Sequence, residues 1–472
     1  MAPTLPPWAV RLRAERRNRL WSQREMARQL VEAADETTRA RLPARESIIR
    51  RIRAYEAGDH QPGDPYRLLY CRVFGIEETD LFDTPPAAVV PTVREWTGTV
   101  VTVPPLPWVW EPRGTVNAVY DTSRDDLMLD RRQAVKALAV TAGLPLIDPV
   151  QRWLAKTPHQ PVGTAANGRI GAEEVAQLET TANVFRTWDH SHGGGLARKA
   201  VIGQLNEVAD LLRESHPHAI ALRLFRVMAE MSKIAATMSW DCGMQTAAQK
   251  CYVLALQATK SVGDRPLGAS ILASMARQLL YLGHPRDALE LVRLALDGVR
   301  GTASPRLMAM LRTREAWAYA ALGRPEAFRR ATDAAEDAFT DISDGDHDPD
   351  WITYFDAAEL AGVTGGRYLD MARRDSRYAG DALHYIGRAL QLRQRSSMRS
   401  LALDRIGLAQ AYLLAGDLDA ALSVGTAATQ TATQVQSDRV RVQLRELCAD
   451  IEPHRDPAAA DLAQQIRETL AR

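Results

Sequence analysis

Asp189-His190-Ser191-His192-Gly193-Gly194-Gly195 is the stretch of this 472-residue chain that most invites a chemical reading. Two histidines two residues apart, with His216 and His218 downstream, are candidate metal ligands, and the three glycines are a candidate cradle for a phosphate. Neither site is completed. A phosphate loop also needs a Lys-Ser/Thr pair, and a zinc helix needs two histidines a full turn apart; the stretch has neither. It is therefore read as a glycine-broken turn between helices. The acidic run 341–350 likewise lacks the central glycine and closing glutamate of a calcium loop, and is read as a solvated loop. No G-x-S-x-G, H-E-x-x-H, dinucleotide fingerprint or Walker sequence occurs. Cys71, Cys242, Cys251 and Cys448 are scattered, with no C-x-x-C pair to suggest a disulfide framework or a zinc site. No catalytic residue, metal or cofactor is predicted, and the chain is not read as an enzyme.

The other concentration of reactive groups is cationic. Between Arg11 and Arg53 lie 13 arginines against six acids, a local charge of +7 in a chain whose total is +1. The rest therefore carries −6, and a basic head on a mildly acidic body points to a polyanionic partner, double-stranded DNA. The elements that must hold these arginines are short helices. Ser22-Gln23-Arg24-Glu25 reads as a capping box, with Met26, Ala27, Leu30 and Val31 as the apolar stripe behind it. A polar stretch, 35–42, interrupts; Pro43 then suits a first turn, and a second helix runs from Ala44 to about Glu56, stopped by Gly58. On that helix Ile48, Ile52 and Tyr55 share one side. Glu46, Ser47, Arg50 and Arg53 project opposite, with Arg45 and Arg51 on the flanks. A helix of this kind, with Gln23 and Arg24 at the start of its predecessor, meets the physical requirement for reading base edges and neutralising phosphates. The candidate DNA-binding residues are therefore Gln23, Arg24, Arg45, Glu46, Ser47, Arg50, Arg51 and Arg53.

The order W-S-Q-R-E-M-A-R-Q-L, E-S-I-I-R-R-I-R-A-Y-E-A-G, Y-R-L-L-Y-C-R-V-F-G-I resembles the Cro/repressor-like (XRE) helix-turn-helix family over about 75 residues. It departs from that family in having a longer link before the recognition helix. Of the basic residues 53 are Arg and six Lys, a bias that looks like GC-rich actinobacterial coding. Beyond the head, residues 84–126 read as a linker. Pro85, Pro86, Pro91, Pro104, Pro105, Pro107 and Pro112 oppose helix, while Trp96, Trp108 and Trp110 suggest that part of it packs on a neighbour. The start has no secretory signal, and no run of 18 apolar residues exists, so a cytoplasmic, nucleoid-associated protein without membrane contact is expected. Leu129-Asp130-Arg131-Arg132-Gln133 imitates a twin-arginine signal but lies far inside the chain and is read as ordinary helix.

Repetition organises the second half. Seven residues before Gly243, Gly283, Gly323 and Gly416 stand Ala236, Ala276, Ala316 and Ala409; twelve after them stand Ala255, Ala295, Ala335 and Ala428. Five after them come Ala248, Ala288, Phe328 and Ala421, and the intervals are 40, 40 and 93 residues. A glycine supplies the positive φ of a tight turn between two helices, and small residues at fixed distances mark where the pair approaches closely. The wide interval has room for a degenerate repeat around residues 378–390. The pattern resembles the tetratricopeptide repeat (TPR), whose stacked helix pairs present a concave groove. That resemblance implies a groove carrying Glu230, Lys233, Trp240, Arg277, Tyr281, Thr313 and Trp317. The stretches W-D-H-S-H-G-G-G and D-P-D-W-I-T-Y-F-D-A-A-E-L look like signatures of an actinobacterial group with this layout.

The expectation is an all-α chain: an XRE-like helix-turn-helix domain over 1–83, a Pro/Trp-containing linker over 84–126, the helical start of a solenoid over 127–228, and a TPR-like α-solenoid over 229–472. The layout resembles DNA-binding transcriptional regulators whose repeat domain dimerises or senses a peptide, a small molecule or a protein partner. A homodimer is expected, because one such head offers limited specific contact. The alternative is a TPR interaction scaffold with a non-specific or vestigial DNA-binding head.

Overall fold

A computed structural model gives the structure of residues 6–18, 21–74, 78–82, 110–127, 140–155, 170–192, 197–343, 345, 347–394, 397–435 and 437–471. Every regular element among them is helical, and no strand occurs. The chain divides into a smaller unit, Met1–Val90, and a larger one, Pro91–Arg472.

The smaller unit contains α1 (Pro7–Asn18), α2 (Gln23–Glu32), α3 (Glu36–Arg41), α4 (Arg45–Ala57), α5 (Tyr66–Phe74) and α6 (Glu78–Phe82). Ser22 caps α2 by accepting from the Glu25 amide at 3.1 Å. The Glu25 carboxylate does not complete the expected capping box; it accepts from Arg28 and Gln29 instead, which lie one turn on. The polar stretch between α2 and α4 forms the short α3. Asp35 caps it, and Arg39 turns back to donate to the Val31, Glu32 and Ala34 carbonyls at the end of α2. Of the stripe predicted for α2, Met26, Ala27 and Leu30 meet Ile48, Ile52 and Tyr55 of α4 and Leu12 of α1 in one buried core, and Val31 packs partly buried at its edge. Gly58 ends α4 at φ 79°.

The larger unit opens with α7 (Pro112–Leu127), α8 (Leu144–Gln151), α9 (Ala172–His192) and α10 (Arg198–Leu211). The linker expected over 84–126 is corrected at its end: Pro112 starts α7, whose Val116 and Val119 are buried in the main core. A proline is tolerated there because the first turn needs no amide donor. Residues 84–109, including Trp96 and Trp108, and the arginine pair 131–132 lie outside the described residues. Trp110 is partly buried against the main core, with the Lys260 ammonium 5.2 Å from its ring centroid.

Helix pairs follow: α11 (His218–Asp241) with α12 (Gln245–Val262), α13 (Arg265–Tyr281) with α14 (Pro285–Gly298), and α15 (Pro305–Ala321) with α16 (Pro325–Thr340). Then come α17 (Ala357–Ala372) with α18 (Ala379–Leu392), α19 (Met398–Ala415) with α20 (Leu418–Ala432), and α21 (Asp438–Ile451) with α22 (Pro457–Ala471). From α13 onward, the first helices of successive pairs touch one another, so the array is solenoid-like, with α13, α15, α17, α19 and α21 as its inner layer.

The four spaced glycines all turn with positive φ: 75° at Gly243, 79° at Gly283, 68° at Gly323 and 83° at Gly416. The small residues around them, with Phe328, are buried. The wide interval holds the α17/α18 pair, joined through a 3₁₀ turn at Ser376–Tyr378 rather than a glycine. Its close approach has moved to Gly365, where a Cβ would stand 2.7 Å from the Ile386 backbone nitrogen. Gly283 has open space around its would-be Cβ, so its requirement is purely one of backbone conformation. Gly283→Ala should cost about 1–2 kcal/mol in a urea melt, the left-handed penalty of an L-residue; an unchanged melt would show that this turn relaxes freely.

Candidate nucleic-acid interface and candidate ligand cavity

In the smaller unit, α4 is held by what lies beneath it. Arg16 of α1 donates two hydrogen bonds to the Glu56 carboxylate, at 2.5 and 2.7 Å, and a third to the Trp21 carbonyl. Gln23 donates to the same carboxylate at 3.2 Å and accepts from Arg53 Nε at 3.0 Å. Both side chains of the Arg16–Glu56 pair are largely withdrawn from water, so the bond ties α1 and α2 to the last turn of α4. What α4 leaves outside is its arginine face: Arg45, Glu46, Arg50, Arg51 and Arg53 are exposed, as is Arg24 on α2.

Within that set the roles divide. Arg45 leans on the Arg24 carbonyl at 3.3 Å, and the Arg51 guanidinium lies 5.3 Å from the Tyr66 ring centroid, on the α5 flank. Ser47 and Gln23 are half-buried, and Gln23 orients Arg53 rather than offering a free amide. Glu46, Arg50 and Arg53 remain as the outward row. Among the described residues, no helix is long and apolar enough to cross a membrane.

In the larger unit, the array curls until α19 and α21 meet α9 and α11. Arg399 on α19 pairs with Asp189 on α9 at 3.5 Å and also with Asp241 at the end of α11. Arg439 on α21 donates to the other Asp241 oxygen at 2.6 Å. Asp241 is almost fully buried. Burial alone would raise its pKa, but the two guanidiniums outweigh that and hold it below the usual carboxylate range. Asp189, crowded by burial and by the Asp241 charge, is pushed up.

Beside this cluster is a cavity of about 100 Å³. Trp240, Tyr252, Trp351 and Tyr354 supply its aromatic walls; Arg186, Lys233, Arg277 and Arg399 its cations; Asp189, Glu230 and Glu359 its carboxylates. Each carboxylate is claimed: Glu230 by Arg186, Asp189 by Arg399, and Glu359 by Arg393 at 3.0 Å. Burial opposes ionisation of Glu359, but Arg393, Arg277 and Arg314 together pull it down to about 2. Asp404, which shares Arg393, is pushed up to about 7 by burial. Lys233 donates to Ser270 Oγ at 2.6 Å and lies 5.5 Å from the Trp351 ring centroid. Burial, with Arg186 nearby, lowers it to about 7. Arg277 reaches over Trp240, and its Nε is buried without a hydrogen-bond partner.

Of the seven predicted groove residues, the structure brings Glu230, Lys233, Trp240 and Arg277 to the cavity. Three are placed elsewhere. Tyr281 and Trp317 continue an edge-to-face ladder from Trp240, with centroids 5.1 Å apart at each step, and the ladder packs between helices. The Thr313 hydroxyl is spent on the Met310 carbonyl of its own helix at 2.7 Å. The concave face is filled by side chains, because α19 and α21 close onto α9 and α11.

The two signature stretches converge here. Asp189 comes from the first; Trp351, Tyr354 and Glu359 come from the second. The run 341–350, read as a solvated loop, is mostly exposed among its described residues, but the second stretch leaves it for the core: Arg306 binds Asp348 at 2.6 Å and the Phe355 carbonyl at 2.8 Å, and Trp351, Ile352 and Phe355 are buried. The side chains of His190 and His192 and the glycines 193–195 lie outside the described residues. His216 is buried against the Leu211 carbonyl at 2.7 Å. Arg399 and Arg439 carry no motif that marks them in the sequence, and only the closure of the array brings them in. A scan against protein-family models gives no match to this chain, and searches of curated proteins and of solved structures give none either.

Proposed function

We propose that the chain is a DNA-binding transcriptional regulator whose smaller unit reads DNA through α4 and whose larger unit senses a small ligand. The observation that carries the reading is the exposed row on α4: Glu46, Arg50 and Arg53 face solvent on a helix clamped from below by the Arg16–Glu56 bond. At 13 residues α4 is about 20 Å long, and an α-helix fits the major groove. The similarity of the head to the Cro/repressor-like family supports the same assignment. Arg50 and Arg53 serve phosphates or guanines, Glu46 and Ser47 sit at the N-terminal end that reads bases, and Gln23 sets Arg53. Two copies would present two heads to an inverted repeat. The larger unit is the sensor because it encloses a cavity at the contact that closes its array. The cavity's volume is below that of ordinary small-molecule sites and suits a ligand of only a few heavy atoms, far short of a peptide.

The test is salt-titrated binding of the full chain to sites selected from random duplex DNA. Wild type should select an inverted repeat and bind it with a steep salt slope. Arg50→Ala with Arg53→Ala should weaken that site at least about tenfold and flatten the slope by about 2, one unit for each phosphate that is no longer neutralised. Sequence-blind binding, or a double variant indistinguishable from wild type, would rule out specific reading through α4 and favour an interaction scaffold.

A further inference from the structure

We infer that the cavity of the larger unit binds a small organic or inorganic anion, a short carboxylate or a phosphate, with its acidic oxygens on the Arg277 guanidinium. This deepens the reading of that unit as a sensor, and it does not depend on the smaller unit. All three lining carboxylates are engaged by arginines, which leaves Arg277 and Lys233 as cavity cations with no ion pair among the described residues. Lys233 has a neutral partner in Ser270, and burial discourages its charge. Arg277 has no such escape, since a guanidinium stays protonated in a protein.

Its surroundings make that charge costly. Nε of Arg277 is buried without an acceptor, and so are Nη1 of Arg314 and Nη1 of Arg439. Burial and these two like-charged neighbours lower the Arg277 pKa and outweigh the opposing pull of Tyr281 and Glu359, so the group is held where its charge is unwelcome. A buried N–H without an acceptor forfeits a hydrogen bond, and a charge-assisted acceptor is the strongest repair. The fork of a guanidinium matches a carboxylate or phosphate.

Size narrows the ligand. A cavity of about 100 Å³ is smaller than one of about 150 Å³ that accepts benzene, so its ligand has fewer heavy atoms than benzene. Ile234, Trp351 and Tyr354 also line the cavity and suit a short apolar tail.

The experiment is calorimetric titration and thermal melting of the full chain, without DNA, using inorganic phosphate and propionate as probes and propionamide as the uncharged control. At least one anion should bind wild type at least tenfold more tightly than propionamide and raise its Tm. Arg277→Met should weaken that anion at least tenfold. The same change should raise the Tm of the ligand-free protein, because it removes a buried guanidinium without an ion pair, while Glu359, the carboxylate whose charge supports it, keeps its pairing with Arg393. The proposal is overturned if neither anion binds, if propionamide binds as well, if Arg277→Met keeps the anion affinity, or if Arg277→Met melts lower without ligand. The last result would mean that Arg277 is paired within the fold. A chain carrying Arg50→Ala and Arg53→Ala should bind the anion like wild type, so failure of DNA reading and failure of anion binding are scored separately.

Discussion

Asp241→Ala should destabilise the larger unit by about 4 kcal/mol in chemical denaturation, the largest loss of stability expected of any single change. Among the described residues, Asp241 is the one carboxylate that accepts from both Arg399 and Arg439, and it does so with almost no exposure to water. Removing it leaves two buried guanidiniums facing each other, with only the more distant Asp189 to share between them. Breaking a buried ion pair by deleting one partner costs about 3–5 kcal/mol, since the surviving charge keeps its desolvation penalty. Replacing all three groups at once (Asp241→Leu, Arg399→Met, Arg439→Met) should recover most of the loss, because no guanidinium is orphaned and Asp189, whose pKa burial already raises, can take a proton once Arg399 is gone. A single variant within about 1 kcal/mol of wild type would show that water reaches this cluster. A triple variant as unstable as the single one would show that the ion pairs themselves, and not merely charge balance, hold the ends of the array together. Amide exchange should report the opening in α19 and α21 first, since these helices supply the two arginines.

Lys233→Met should have the opposite sign, and its size should depend on pH. The folded-state pKa is depressed from 10.5 to about 7. Below pH 7 both folded and unfolded chains carry the proton, so the folded state bears the full cost of burying the ammonium. From pH 7 upward the folded chain loses that proton while the unfolded chain keeps it, so stability rises with pH until about 10.5. The substitution removes the cost, so its gain should be about 4–5 kcal/mol at pH 6 and about 2 kcal/mol by pH 9, at about 1.4 kcal/mol per unit. Loss of the Ser270 hydrogen bond subtracts from the gain at every pH without changing its slope. Denaturation curves of both proteins at pH 6 and 9 check this. A gain equal at both pH values, or growing with pH, would show that Lys233 titrates near its ordinary value.

The repeat was legible because the property it depends on is local. A glycine at the turn and small residues seven before and twelve after it are demanded by one helix pair alone, whatever its neighbours do. The stripes of α2 and α4 were legible for the same reason: Met26, Leu30, Ile48 and Ile52 follow helical spacing within a single element. Where small residues departed from the spacing, the sequence still had room for a degenerate repeat around residues 378–390, where α18 lies, but not the detail of how its pair packs. The α17/α18 pair makes its close approach at Gly365, off the register of the other pairs, and its turn uses no glycine.

The cavity was half legible. Glu230, Lys233, Trp240 and Arg277 could be placed on the first helices of their pairs by counting from Gly243 and Gly283. Counting cannot tell a side chain that faces open space from one that its neighbours cover, and so Tyr281, Thr313 and Trp317 were assigned to a surface that is closed. Residue types and spacing along the chain determine the helices, their tight turns, the buried stripe of each and the arginine row on α4, since these depend on contacts a few residues apart. Only the tertiary structure brings Asp189, Asp241, Arg399 and Arg439 together, across separations of 158 to 210 residues. The curvature that closes the array is summed over many helix pairs, each adding a small rotation, and no single segment of sequence encodes it.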